Sequence, residues 1–214
     1  MRIEVPTVDG MRIGTLGNGM MAEALASHWV AKGHDVMIGG RSPERAADVA
    51  KRIGATSGSL AEAAYAEVVL LAVPAEVAVD VATVVPAGTT LIDCTNALDH
   101  SDFTLAHPAT AEAIAAAAPG VHVVKAFNLA PDLVWRNPPA GLGVPLCGDD
   151  GVDQVAELVT DLGCTPVRAG GLRRAKLLEA TAALAIGIWV RGGDVRAMFP
   201  PLDLAVGTVP PGRP

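Results

Sequence analysis

The sequence is poor in aromatic residues and in cysteine. Its 214 residues include three Trp, three Phe, one Tyr and three Cys. The core must therefore be built from Ala, Val, Leu and Ile, which suits helices packed on a parallel sheet. The three cysteines are widely spaced and form no C-x-x-C pair, which argues against a disulfide framework or a zinc site. We therefore expect reduced thiols, a cytoplasmic location and no bound metal.

Positive charge and long apolar segments are also scarce. The chain has 16 Lys and Arg against 23 Asp and Glu, for a net charge of −7. This balance argues against nucleic acid or an anionic membrane as a partner. The most apolar segment, residues 177–190, is interrupted by Glu179 and is too short to cross a bilayer, so we expect a buried helix there. The first residues lack the apolar stretch of a signal peptide.

A glycine-rich turn follows the first apolar run. Residues 11–16 predict a short strand, and residues 20–32 predict a helix. The pattern G-x-G-x-x-A lies between them. In this context, the first glycine permits the turn, the second admits a diphosphate, and the helix N-terminus holds the phosphates. The predicted dinucleotide contacts are Gly17, Asn18, Gly19, Met20 and Met21. The alternative is a glycine-rich turn in another α/β fold.

The next strand, at residues 34–39, indicates which dinucleotide is bound. NAD sites place an acidic residue about twenty residues after the glycines, on the adenosine ribose. Here Arg41 and Ser42 occupy that region, and Arg45 lies one turn into the next helix. A guanidinium suits a phosphate, and Ser42 can donate a hydrogen bond as well as cap the helix that Pro43 begins. We therefore predict NADP(H) rather than NAD(H); the alternative is a pair of solvated arginines.

The alternation of strands and helices predicts an α/β fold, a doubly wound parallel Rossmann sheet. The final helix is apolar nearly all round, so we expect it to pack on the sheet and on a dimer mate. Four regions follow along the chain. They are an N-terminal extension (1–10), an NADP-binding Rossmann domain (11–170), a helical segment with the acceptor cleft and dimer contact (171–199), and a Pro/Gly-rich tail (200–214).

Further ligand contacts are expected where the strands end. In such sheets, ligands lie beyond the carboxyl ends of the strands. This places Val73, Pro74, Asn96 and Asn128 on the edge that carries the glycine turn, with the nicotinamide between the last three. For the asparagines, turn formation is the alternative. No side chain near this position is assigned a catalytic role.

With these residues placed, the chain resembles the NADP oxidoreductase, coenzyme F420-dependent family. The glycine turn is common to many Rossmann proteins, whereas Lys125-Ala126-Phe127-Asn128 and Cys147-Gly148-Asp149-Asp150 are more specific to this family. The resemblance covers about residues 11–190. It implies NADP(H) held by the turn, Arg41, Ser42 and Arg45. It also implies a deazaflavin (coenzyme F420) or another flat acceptor beside the final helix, and a homodimer.

The expected function is hydride transfer between NADPH and a deazaflavin or another small conjugated acceptor. Such a transfer needs two rings held face to face and little acid–base chemistry from side chains. One alternative is an imine or carbonyl reductase in a biosynthetic pathway, which would need a proton donor. Asp93, Cys94 and Lys125 are the nearest candidates for that role. Another alternative is a non-catalytic module that senses NADP(H) and signals through its final helix.

Overall fold

The computed structural model describes residues 10–200, which form a sheet flanked by helices. The predicted extension (1–10) and tail (200–214) therefore lie outside the described residues, apart from Gly10 and Pro200. The strands are β1 (Arg12–Leu16), β2 (Asp35–Gly39), β3 (Thr56–Gly58), β4 (Val68–Leu71), β5 (Thr90–Asp93), β6 (Leu98–Asp99), β7 (Thr104–Leu105), β8 (His122–Lys125), β9 (Gly143–Cys147) and β10 (Thr165–Gly170). The α-helices are α1 (Met20–Ala31), α2 (Pro43–Ile53), α3 (Leu60–Ala64), α4 (Ala75–Ala82), α5 (Thr110–Ala117), α6 (Asp132–Arg136), α7 (Val152–Asp161) and α8 (Ala175–Trp189).

The main sheet has eight strands in the order β10-β9-β8-β5-β4-β1-β2-β3. The six strands from β8 to β3 pair in parallel. This is the strand order of a Rossmann sheet. The strands from β1 to β3 are added on one side of β1 and those from β4 onward on its other side, so the order switches between β1 and β4. The predicted doubly wound α/β fold is confirmed.

One edge of the sheet differs from a wholly parallel arrangement. β9 and β10 are parallel to each other, but β9 pairs antiparallel to β8 through Cys147 and Lys125. The segment after Cys147 therefore lies at the amino ends of the parallel strands, whereas the glycine turn lies at their carboxyl ends. Asp150 accordingly lies beside His122, the first residue of β8, with Oδ2 and Nδ1 3.6 Å apart.

The two faces of the sheet bury two separate cores. One core includes residues of α1, α2 and α7, and the other includes residues of α3, α4, α5 and α8. The first contains Trp29, Phe127 and Trp135, whose rings meet edge to face with centroids 6.2 and 5.3 Å apart. The second is rich in alanine, which lets its helices approach the sheet closely. Each fully buried large apolar side chain contributes roughly 1.5–3 kcal/mol.

Helix boundaries follow local signals where these are strong. Ser42 caps α2 by accepting from the backbone N–H of Arg45 (3.3 Å), and Gly54 ends the helix at φ 80°. Ser59 and Glu62 form a capping box at α3. The predicted helical segment from residue 171 contains a 3-10 turn (Leu172–Arg174) followed by α8. Within the described chain, no helix is both long enough and apolar enough to cross a membrane.

Candidate functional site

The glycine turn after β1 is tied to the end of β2. The hydroxyl of Thr15 donates to the carbonyl of Gly17 (2.9 Å) and accepts from the N–H of Gly39 (3.3 Å). The N–H of Gly17 also donates to the carbonyl of Gly39 (3.0 Å). The turn predicted to hold a diphosphate is thereby fixed relative to the loop that carries Arg41.

The two glycines of the turn differ in what requires them. Gly17 has φ 122°, and a Cβ there would lie 2.2 Å from the carbonyl oxygen of Ala72, so the fold itself requires glycine. Gly19 has ordinary extended backbone, with φ −86° and ψ −177°. A Cβ added to Gly19 would meet nothing within 4 Å. The fold therefore does not require glycine at position 19, and the space beside it is open to a ligand.

The N-terminus of α1 faces this turn without a side-chain cap. The first N–H groups of the helix, including those of Met20 and Met21, consequently have no intrahelical partner. Glu23 is the acidic residue of the first turn, and Arg52 holds it through two hydrogen bonds of 2.8 Å. This pairing lowers the pKa of the Glu23 carboxyl and balances its charge. Phosphate oxygens are the usual partners of such a helix end.

A cleft of about 750 Å³ lies above the turn. Eight predicted cofactor residues line it: Gly17, Asn18, Gly19, Arg41, Ser42, Arg45, Val73 and Pro74. Six more were not predicted: Gly40, Leu60, Ala72, Val77, Asp80 and Val81. The side chains of Met20 and Met21 lie outside the cleft lining. Met20 is 63% exposed and Met21 packs against the core, so these two residues can offer only backbone groups.

Polar groups in the cleft match what a nucleotide needs. The Nδ2 atom of Asn18 is buried beside Gly40 and has no hydrogen-bond partner among the described residues. Arg41 and Arg45 are exposed, and neither takes part in an ion pair within residues 10–200. Ser42, however, donates its hydroxyl hydrogen to Glu44 (3.0 Å). A backbone N–H and this contact lower the pKa of Glu44, so a phosphate must displace a carboxylate to reach the hydroxyl.

Asn96 and Asn128 meet at the ends of β5 and β8. The Nδ2 of Asn96 donates to the carbonyl of Asn128 (2.7 Å), and the Nδ2 of Asn128 donates to the Oδ1 of Asn96 (3.0 Å). Asn128 also donates to the carbonyl of Leu178 in α8 (3.1 Å), while its own Oδ1 is buried without a partner in the described chain. The two asparagines thus come together as predicted. They do not line the cleft that contains Pro74.

The residue before Asn128 has an unusual backbone. Phe127 has φ 61° and is 1% exposed, although left-handed backbone is unfavourable for a bulky residue. The indole N–H of Trp135 donates to the carbonyls of Phe127 (3.2 Å) and Ala130 (2.9 Å). His28 contacts the carbonyl of Trp135 through Nε2 (2.8 Å). These contacts hold the turn that sets the direction of the Asn128 side chain.

A buried ion network lies behind the asparagine pair, and the sequence analysis missed it. The Nζ of Lys125 lies 2.9 Å from Asp93 Oδ2, 2.6 Å from the carbonyl oxygen of Thr95 and 3.2 Å from Glu179 Oε1. The Glu179 carboxylate also accepts from the first two backbone N–H groups of α5, each at 3.0 Å. The only sequence signal was three charged residues within or beside apolar segments.

Their surroundings exclude two of the candidates, Lys125 and Cys94, as proton donors. Burial alone would lower the pKa of Lys125, but Asp93 and Glu179 raise it. Lys125 is fully buried with three acceptors around its ammonium group, so it stays charged and out of reach of a substrate. Burial raises the pKa of the Cys94 thiol to about 12, so this thiol stays protonated. Within residues 10–200, no cluster of three or more His, Cys, Asp or Glu side chains could hold a metal ion.

The fold and the cleft define the class of the protein as a Rossmann-type α/β protein with a glycine turn at the sheet edge. Residues 12–97 match the model of the NADP oxidoreductase coenzyme F420-dependent family. The resemblance seen in the sequence is therefore confirmed for this part of the chain.

Individual relatives extend the similarity over most of the chain. A hypothetical protein of Sinorhizobium meliloti, SMa0349, is 31% identical (TM-score 0.67), with 77% of this chain and 86% of that chain covered. A candidate F420-dependent NADP reductase of Arthrobacter sp. FB24 is 25% identical (TM-score 0.76), with 86% and 96% covered. Rat metalloreductase STEAP3 is 29% identical over 193 residues, which are 87% of this chain and 39% of the relative. The chain spans less than half the length of the curated relatives it matches.

Proposed function

We propose that the protein is an NADP(H)-dependent oxidoreductase that transfers hydride between NADPH and a deazaflavin coenzyme or another small conjugated acceptor. One observation carries the proposal. The cleft that contains Arg41 and Arg45 also contains Gly19, a glycine that the fold does not need and that leaves open space beside a helix N-terminus. A diphosphate at the turn and a ribose phosphate at the guanidinium groups account for both features. The family and the Arthrobacter relative support the choice of cofactor.

In this proposal, each part of the site has a separate task. The backbone N–H groups from Gly17 to Met21 and the Asn18 amide hold the diphosphate, and Arg41, Ser42 and Arg45 hold the 2′-phosphate. Val73 and Pro74 line the path toward the nicotinamide, which lies between Pro74, Asn96 and Asn128. Bound NADPH supplies the hydride. The chain fixes the position of the ring and excludes water, and it needs no side chain to move a proton.

The acceptor lies, in this proposal, between the sheet edge and α8, and a second copy of the chain covers the outer face of that helix. Leu177 and Leu184 are 48% and 54% exposed, and they are separated by two helical turns on one side of α8. A helix with apolar residues on its outer side gains stability when that side is covered. The three free cysteines are all buried, in keeping with the reducing cytoplasm that we propose as its location.

A titration followed by a turnover assay tests the proposal. NADPH and NADH are titrated separately against the full chain, and oxidised deazaflavin is then added while its absorbance is followed. The proposal expects tighter binding of NADPH and loss of the oxidised deazaflavin band. Turnover only with imines or carbonyl compounds would instead identify the second kind of reductase. Binding of both redox states without turnover of any acceptor would favour a sensor, and the absence of nucleotide binding would refute the assignment.

A further inference from the structure

The cleft above the glycine turn contains a carboxylate for which the proposed function has no use. Asp80 lies on α4 and lines the cleft together with Val77 and Val81, which are one helical turn apart. Leu60, the first residue of α3, lines the same cleft. Asp80 is exposed and forms no ion pair within residues 10–200. Of the described residues that line the cleft, it alone carries a carboxylate.

A carboxylate at this position opposes the negative charge of the ligand that the rest of the cleft favours. The cleft also contains Arg41 and Arg45, which favour an anionic ligand, and a carboxylate repels the phosphates of that ligand. An ionised carboxylate can only accept hydrogen bonds. A ligand that places an N–H group beside Asp80 turns this unfavourable charge into a favourable contact.

We propose that Asp80 accepts a hydrogen bond from the exocyclic amine of the adenine ring and thereby selects adenine over bases that carry an oxygen at this position. The inference rests on the proposed function, which places the adenosine ribose at Arg41. A flat base then meets the apolar side chains of Leu60, Val77 and Val81, and the guanidinium of Arg41 can stack on its other face. The amine edge of the ring is left for the carboxylate.

The proposed hydrogen bond to Asp80 favours adenine over hypoxanthine. Hypoxanthine differs from adenine at this position by a carbonyl oxygen in place of the amine. Two acceptors then face each other, and the carboxylate can regain a hydrogen bond only by shifting to the neighbouring N1–H of hypoxanthine. An asparagine at position 80 removes the repulsion, because its amide can donate to the carbonyl oxygen or accept from the amine.

The test measures the dissociation constants of NADPH and of its hypoxanthine analogue for the wild-type chain, Asp80→Asn and Asp80→Ala. We expect the wild type to prefer NADPH by about tenfold or more, the size of a charge-assisted hydrogen bond. We expect D80N to lower this preference to near unity or invert it, and D80A to lower it without inversion. Glu76→Gln is the matched control, because Glu76 is an exposed carboxylate on the same helix that lines a different pocket. E76Q should keep the wild-type preference.

Two outcomes would overturn the inference while leaving the proposed function in place. One is an unchanged preference for NADPH in D80N and D80A. The other is an equal gain in affinity for both nucleotides, which would make Asp80 only a repelling charge. If the wild-type chain bound neither nucleotide, the proposed function and the inference would both be overturned. Equal melting temperatures of the variants and the wild type would show that the comparison concerns binding and not folding.

Discussion

Asn96 and Asn128 bind each other in both directions across the ends of β5 and β8, at 2.7 and 3.0 Å. The amide of Asn128 also reaches Leu178, so the pair joins the sheet edge to α8. The Nδ2 of Asn128 already has two acceptors, and its Oδ1 is buried without a partner among the described residues. The orientation of the amide is therefore set by the protein.

Asn128→Asp should destabilise the fold. The substitution keeps the shape but places a carboxylate oxygen against Asn96 Oδ1 and the Leu178 carbonyl, so two hydrogen bonds become repulsive contacts. We expect the free energy of unfolding, measured with urea, to fall by about 1–3 kcal/mol. Asn137→Asp is the control, because Asn137 is exposed. Equal effects of the two substitutions would argue against the importance of the pair.

Gly17→Ala should mainly lower stability, whereas Gly19→Ala should mainly weaken NADPH binding. G17A forces a left-handed residue to carry a Cβ 2.2 Å from the Ala72 carbonyl oxygen, so it should lower the melting temperature clearly. G19A should leave it almost unchanged, because a stiffer unfolded chain offsets a weaker helix cap. G19A should nevertheless weaken NADPH binding at least about tenfold, because the methyl group enters space needed by the diphosphate. Unchanged binding in G19A would count against a ligand at this position.

Arg41→Ala should change the affinities for NADPH and NADH to different extents. Removing the guanidinium should weaken NADPH by roughly 10–100-fold and NADH by far less, because only NADPH carries the 2′-phosphate. Added salt should reduce the difference, since the site is exposed. Arg173→Ala, at an exposed arginine of the 3-10 turn before α8, serves as the control. Equal losses for both nucleotides would refute the assignment of the 2′-phosphate.

Lys125→Met should be the most destabilising of these substitutions. It leaves Asp93 and Glu179 buried without their cation, which typically costs about 3–5 kcal/mol. Because the pKa of Lys125 is raised, its contribution should be complete at neutral pH and be lost only as the pH rises through that raised value. Urea unfolding at pH 7 is the measurement. Lys51→Met, at an exposed lysine of α2, should change stability little, and an equally small effect of K125M would contradict the prediction.

Trp135→Phe and Trp29→Phe form a matched pair within one aromatic cluster. Both indoles are buried against Phe127, but Trp135 donates to the turn at residues 127–130, whereas Trp29 donates to Leu158 (3.2 Å). Both variants should lose about 1 kcal/mol or more of stability. Only W135F should also weaken NADPH, because the turn that directs Asn128 is released. Neither should change the affinity for 2′,5′-ADP, which lacks the nicotinamide. Identical nucleotide affinities in the two variants would rule out a positioning role for Trp135.

Local sequence signals predicted well the part of the fold that forms the cleft. The bounds of α2 could be predicted because Ser42 and Pro43 begin the helix and Gly54 ends it. The doubly wound parallel sheet could be predicted because short apolar runs alternate with amphipathic segments. The eight cleft residues could be placed together because the carboxyl ends of parallel strands share one edge.

What could not be predicted depends on distant contacts. The hairpin of β6 and β7 has two residues in each strand and is fixed by side chains such as Asp99 and Asp102, so it has no periodicity to detect. The direction of β9 depends on which edge of the sheet it joins, which no local pattern encodes. The position of Asp80 in the cleft follows from the packing of α4 and not from any motif.

The reversal of β9 and β10 also determines where the last helix starts and where it ends. Because β10 ends at the edge away from the glycine turn, the chain begins its final segment beside Asp149. From there α8 passes Lys125, which Glu179 contacts from the second turn of the helix, and Gly187 lies beside Phe103 of the hairpin. The final segment thus connects the loop at Asp149 with the hairpin of β6 and β7. A displacement of α8 should therefore change the surroundings of the buried Lys125 ammonium group and of the Asn96–Asn128 pair, because Glu179 and Leu178 lie on this helix.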